Sequence, residues 1–176
     1  MSILKVDTIN EKTSGNGVLI PGHVIQYLDV HENTSITFSS NASTNINLGL
    51  VKSITPLHSS SKIVVEGHIG VNIASSSNDA PCLRCLMNGT VQTAAMGWGG
   101  IGSNGNHFIA FYHDQHHQRD LYTNLSFKIS STGLLTVGTS YSFQLQLRNW
   151  QNNSNTLIYN GSGYLASTMR IMEIAQ

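Results

Sequence analysis

The residues best equipped for chemistry lie in one stretch, Tyr112-His113-Asp114-Gln115-His116-His117-Gln118-Arg119-Asp120. Three histidines and two carboxylates so close together could hold a zinc or nickel ion, because neutral imidazole is a good borderline ligand. One histidine from each of three symmetry mates on a three-fold axis would serve equally well. Helical periodicity is absent here, so the helix-borne zinc pattern does not apply. The expectation is a solvated loop between two strands, holding no metal, with His113, His116 and His117 able to touch a receptor.

A second stretch, Gly97-Trp98-Gly99-Gly100-Ile101-Gly102-Ser103-Asn104-Gly105, has the glycines of a phosphate-cradling loop. It lacks the Gly-Lys-Ser/Thr ending and the helix whose N-terminus would attract an anion. Trp98 on such a loop either stacks on a sugar ring or fills the core beside a tight turn. Trp150, followed by Gln151-Asn152-Asn153, sits at a strand end and has the same two readings. Cys82 and Cys85 form one Cys-x-x-Cys pair, but a structural zinc site needs four ligands and no second pair exists. On a strand, side chains three apart point to opposite faces, so the two thiols read as small, partly buried strand residues. No nucleophile elbow and no carboxylate pair in an apolar setting occurs. The expectation is a protein that binds rather than turns over, with no cofactor.

The elements that must position these residues are strands. Apolar residues recur at period two, most clearly at Ile63, Val65, Gly67, Ile69, Val71 and Ile73, and again at Tyr141, Phe143, Leu145 and Leu147. Further strands are expected at Ser35–Phe38, Ile46–Thr55, Cys82–Met87, His107–His113, Leu121–Ile129, Thr156–Tyr159 and Tyr164–Ala175. Turn clusters separate them at 75–79, 97–106, 130–133 and 149–155. Many short strands at this spacing predict an all-β sandwich or jelly roll. Residues 1–22 differ. Leu4, Val6 and Ile9 precede a glycine-bearing turn, and Val18-Leu19-Ile20 returns to a Pro21-Gly22 break. So small a piece cannot fold alone. It reads as an assembly arm, with Leu4, Val6, Ile9, Val18 and Ile20 as its contact residues, followed by a head domain over 23–176.

Composition narrows the class of function. Only 10% of the 176 residues are charged, and nine basic residues balance nine acidic ones. A chain without a basic field is not expected to bind nucleic acid. No apolar run is long enough for a signal peptide or a membrane helix, so neither secretion by that route nor a membrane partner is expected.

The opening Leu4-Lys5-Val6-Asp7-Thr8-Ile9, with Gly17-Val18-Leu19-Ile20-Pro21-Gly22-His23-Val24-Ile25-Gln26, resembles the start of short tail-fibre-like proteins of phages of marine bacteria and cyanobacteria. Ser53-Ile54-Thr55-Pro56 with Ser59-Ser60-Ser61-Lys62-Ile63-Val64-Val65 is similar to a second block of that family. Ser167-Thr168-Met169-Arg170-Ile171-Met172-Glu173-Ile174-Ala175 is similar to its closing strand. The resemblance implies a jelly-roll head like the tumour-necrosis-factor fold, assembled as a homotrimer on the virion surface. The arm would then dock to other virion proteins, and the head would face a host surface glycan. Apolar residues on both faces of the last strand (Leu165, Met169 and Ile171 against Met172 and Ile174) point to a subunit interface. Two other roles fit an arm and a jelly roll: a capsid decoration protein that cements the head, and a lectin-like or carbohydrate-active domain working outside any virion.

Overall fold

The computed structural model describes residues 20–40, 45–73, 81–91, 109–110, 118–128, 135–149, 155–159 and 166–176. They form eleven strands and no helix, in two antiparallel sheets. The first sheet holds β1 (Val24–Glu32), β2 (Ile36–Ser40), β4 (Lys62–Ile73), β8 (Gln118–Lys128), β10 (Asn155–Tyr159) and β11 (Ser167–Ile174). The second holds β3 (Ile46–Ile54), β5 (Pro81–Met87), β6 (Thr90–Val91), β7 (Ile109–Ala110) and β9 (Tyr141–Asn149). Nearly every expected strand is present within a residue or two. Of His107–His113 only Ile109–Ala110 is described, and of Tyr164–Ala175 the description begins at Ala166.

The twelve-residue β4 organises the first sheet. On one side it pairs with β8 over Lys62–Asn72. On the other it pairs with β11 over Lys62–His68 and then with β10 over Val71–Ile73. β10 and β11 thus lie end to end, and so do their outer neighbours β2 and β1. Each of those two pairs is one interrupted strand. The second sheet runs β3-β9-β5, with β6 and β7 sharing the far edge of β5.

Period-two alternation carries the core. Ile63, Val65, Ile69 and Val71 of β4, with Met169 and Ile171 of β11, face Leu48, Leu50 and Ile54 of β3, Leu83 and Cys85 of β5, and Phe143, Leu145 and Leu147 of β9. Full burial of each such side chain contributes roughly 1.5–3 kcal/mol. The outward residues between them are mostly polar, with Val51 of β3 an exposed apolar exception.

Two strands went unread in the sequence. In β1 a one-residue bulge lies between Val24 and Gln26, so Val24 pairs with Ile174 while Gln26 pairs with Glu173. The bulge switches faces, so Val24 and Tyr27 point outward while Gln26, Leu28 and Val30 point inward, and the alternation that marks a strand disappears. β6 follows a tight turn at Asn88 (φ 50°) and Gly89 (φ 79°), the Asn-Gly pair that two-residue hairpins prefer. The Asn88 side chain accepts the Ser142 N–H at 2.8 Å, and its own N–H donates to the Ser142 carbonyl at 2.8 Å. β3 departs from regular pairing too, with the five residues Asn47 to Val51 opposite the three from Gln146 to Gln144. Two extra residues preserve the faces, which is why the pattern over 46–54 stayed legible.

One polar group sits where the core ends. Glu173 follows Met169 and Ile171 on the inward face of β11 and is 0% exposed. Its carboxylate accepts the Leu57 N–H at 3.0 Å to each oxygen, the His58 N–H at 3.0 Å and the Gln26 side-chain amide at 2.6 Å. Gln26 also donates to the Thr55 carbonyl at 2.8 Å. Residues 55–58 lead out of β3, so this carboxylate fastens the second sheet's exit to the first sheet's last strand.

Glu173→Gln keeps the shape but turns an amide donor toward N–H groups that are already donors. The expected loss is about 3 kcal/mol, read as a lower urea midpoint at unchanged slope. Gly49→Ala tests the irregular part of β3. Gly49 has φ +75°, and an added Cβ would meet Glu32 Oε2 at 2.6 Å. The Glu32 tip can swing away, so the cost is mainly backbone strain, about 1–2 kcal/mol in the same assay.

Candidate functional site: the two ends of the sandwich

The strand registers give the sandwich two unlike ends. At the near end lie Val24, Ile54, Lys62, Met87, Tyr141 and Ile174. Its described connections are tied down. The Ile20–His23 turn closes with the His23 N–H donating to the Ile20 carbonyl at 3.0 Å, and Gly22 takes φ +86° as the residue after a proline in such a turn does. Gly22 and Ala175 then clamp the two termini: the Gly22 N–H donates to the Ala175 carbonyl, and the Ala175 N–H to the His23 carbonyl, both at 2.9 Å. The Gly138 N–H donates to the Pro56 carbonyl at 3.0 Å, and the Thr136 N–H to the Tyr141 hydroxyl at 2.7 Å.

At the far end, Ser40 pairs with Asn155, Ile46 with Leu147, Pro81 with Asn149, Cys82 with Ala110, and Asn72 with Gln118. From these strand ends depart residues 41–44, 74–80, 111–117 and 150–154. His113, His116 and His117 belong to the third of these connections and Trp150 opens the fourth. The residues themselves lie outside the described part of the chain, but the strands that carry them end side by side. Trp98 belongs to residues 92–108, between β6 and β7 in the chain, and it too lies outside the described residues. Of the arm residues, Leu4, Val6, Ile9 and Val18 lie outside as well. Ile20 is described, 37% exposed at the near end. Among the described residues no cluster of three or more His, Cys, Asp or Glu is placed to hold a metal ion.

The outward face of the second sheet carries a polar row absent from the sequence-based candidates. Arg84 Nε donates to Gln146 Oε1 at 2.6 Å, and Gln146 Nε2 donates to Asn47 Oδ1 at 2.5 Å. The row crosses β5, β9 and β3 where Arg84, Gln146 and Asn47 are register partners. Each residue is an outward member of an alternating strand, and only the register between strands, which one sequence does not state, brings them together.

Glu32, at the end of β1, accepts the Thr34 N–H at 2.7 Å. The Thr34 side chain and backbone hold its carboxyl below the usual carboxylate range. A lowered folded-state pKa adds stability above the unfolded value, and that share is lost as the pH falls through the folded one.

Cys82 and Cys85 behave as their spacing predicts. They lie on opposite faces of β5 with no disulfide between them, both fully rather than partly buried, and only Cys85 belongs to the core between the sheets. Burial pushes the Cys85 thiol up to about 12. No helix of the described residues is long and apolar enough to cross a membrane.

No protein-family model matches this chain, and no curated protein does. Solved structures that overlap it do so loosely. The C-terminal domain of EclA, a sugar-binding protein, is 10% identical, with 92% of this chain and 89% of that one covered at a TM-score of 0.36. The infectious bursal disease virus Gt strain is 11% identical, covering 98% of this chain at a TM-score of 0.40. The VP2 subviral particle of the same virus is 11% identical, covering 86% at 0.39. The chain spans about two fifths of those viral chains, 43% and 38%.

Thiolates rather than thiols react with aromatic disulfides, and neither cysteine is accessible. Native protein at pH 8 is expected to show no fast thiol release, and protein in guanidinium chloride two thiols per chain.

Proposed function

We propose that this chain is a structural, non-enzymatic subunit of a bacteriophage virion: a tail-fibre-like appendage that attaches by its arm and presents its head for host-surface binding. The observation that carries this reading is the polarity of the sandwich. The chain enters from its arm at the near end, beside the C-terminus and the Glu173 fastening. The segments with His113, His116, His117 and Trp150 leave from the opposite end. Attachment and recognition are thereby separated by the full length of the strands. The strand order supports reading the head as a jelly roll. With β1 and β2, β6 and β7, and β10 and β11 each counted as one line, the strands of the two sheets run 1-8-3-6 and 2-7-4-5 in chain order, the arrangement of two interleaved Greek keys.

The proposed assembly is a homotrimer. The proposed partners are other virion proteins at the arm and a host surface glycan at the far end, without a cofactor, nucleic acid or membrane. Three copies engaging one cell surface multiply a weak contact through effective concentration, so each site can be modest.

Immunogold labelling of intact particles with antibody against residues 23–176 tests the location. Gold at the tail is the expected result. Gold spread over the head would replace the appendage with a capsid decoration protein. Adsorption kinetics test the recognition end. His116→Ala with Trp150→Ala is expected to cost about 1 kcal/mol per site, or on the order of 100-fold over three sites, with particle assembly unchanged. Leu4→Glu with Val6→Glu is expected to do the reverse, leaving the free head folded and able to bind cells but absent from particles.

A further inference from the structure

The outermost strand of a sheet offers a row of unpaired N–H and C=O groups, and folds blunt such edges by shortening, bulging or charging them. Most edges here are blunted. β1 carries the bulge at Val24/Gln26, and β3 the irregular stretch from Asn47 to Val51. β2 has five residues, and β6 and β7 have two each. β8 is the exception. It runs for eleven residues and pairs with β4 without a register shift, from Lys62↔Lys128 to Asn72↔Gln118. It has no second neighbour among the described strands. Its middle, Leu121–Phe127, contains no charge, glycine or proline. A long, regular, uncharged strand of this composition is a pairing template, and one left open would aggregate.

The charges of β8 sit at its two ends, and their placement selects the strand that fits. It begins Gln118-Arg119-Asp120 and closes on Lys128. Lys128 stands directly opposite Lys62 of β4, and like charges in that position destabilise a ladder. The next residues along the same face, Val64 and Ser126, are uncharged, so neither strand sets an acid beside the two lysines. A second copy of β8, running antiparallel about a two-fold axis at Thr123, brings one. That register sets Asp120 opposite Ser126 of the second copy and diagonal to its Lys128, within reach of a long side chain. It also sets Leu121 opposite Leu125, Tyr122 opposite Asn124 and Thr123 opposite itself, so no like charges meet. Every pairing off the axis occurs twice, as an isologous contact requires. A parallel copy in register would instead place Lys128 against Lys128.

We infer that β8 of a second copy pairs antiparallel with β8 along this edge, centred on Thr123 and keyed by Asp120 and Lys128, joining the first sheets of two chains into one. The contact goes beyond the proposed trimer and is separable from it by mass. With both, the full chain is a hexamer; with this contact alone, a dimer.

Native mass spectrometry of the full-length protein at micromolar concentration reads the assembly. A hexamer supports both contacts, and a dimer supports the strand pairing and removes the trimer. A trimer or a monomer overturns the strand pairing. Asp120→Lys sets cations at both diagonal positions and is expected to halve the mass, and an unchanged mass overturns the proposal. Adding Lys128→Asp puts opposite charges back across the axis and is expected to restore the mass. A double variant that stays dissociated overturns the register. Amide hydrogen exchange reads the edge itself. In Asp120→Lys, peptides from 118–128 are expected to exchange faster while those from β9 keep their protection, and unchanged exchange over 118–128 overturns the pairing. Exchange there that quickens on deleting residues 1–19, at unchanged subunit number, gives the edge to the arm and overturns the second copy.

Discussion

A fully buried carboxylate holds the near end together. Two sheets pressed face to face gain their stability from apolar area, which is indifferent to how the sheets slide. Glu173 supplies what area cannot: fixed directions. Its oxygens accept two backbone N–H groups from the chain leaving one sheet and a side-chain amide from the edge strand of the other. Burying these groups unpaired would cost several kcal/mol, so the alignment of the sheets and the satisfaction of this carboxylate stand or fall together. The β1 bulge belongs to the same arrangement, because only the change of face at Val24/Gln26 turns the Gln26 amide inward to meet it.

From that end outward the molecule is built on very little charge. With only 10% of residues charged, the polar part of the sequence is mostly Ser, Thr, Asn and Gln. The cross-strand row Asn47-Gln146-Arg84 shows how such a surface organises itself, with one guanidinium and two neutral amides hydrogen-bonded in series. In this setting a few charges count for more. The row Asp29-Arg170-Glu66 sets acid, base and acid side by side across three strands of its sheet.

Much of the architecture was legible in the sequence wherever one strand face is buried and the pairing is regular, as at Ile63–Val71 and Tyr141–Leu147. It was illegible at β1, where a single inserted residue inverts the faces and produces Val-Ile-Gln-Tyr-Leu-Asp-Val, a string with no period. It was overlooked at β6, although Asn88-Gly89 is a hairpin signal that reading for Asn-Gly would have found. Glu173 lies in a stretch correctly taken as the closing strand, yet nothing local distinguishes it from an outward glutamate. Its role depends on residues over a hundred positions away. The candidate recognition residues were found by type alone. That four of them (His113, His116, His117 and Trp150, but not Trp98) belong to connections leaving one end is a property of the fold's connectivity, and single residues carry no trace of it.

The grouping of connections 41–44, 74–80, 111–117 and 150–154 at the far end has an evolutionary consequence. Each spans strand ends that are already held in register by ladders deep in the sandwich. Doubling the length of such a connection costs only about 0.6 kcal/mol of closure entropy. The two ends therefore age at different rates. Insertions and substitutions can accumulate across four adjoining segments without disturbing the scaffold, while a change near Glu173 meets three donors at once. A lineage carrying this fold can rewrite one pole of the molecule and leave the other as an heirloom.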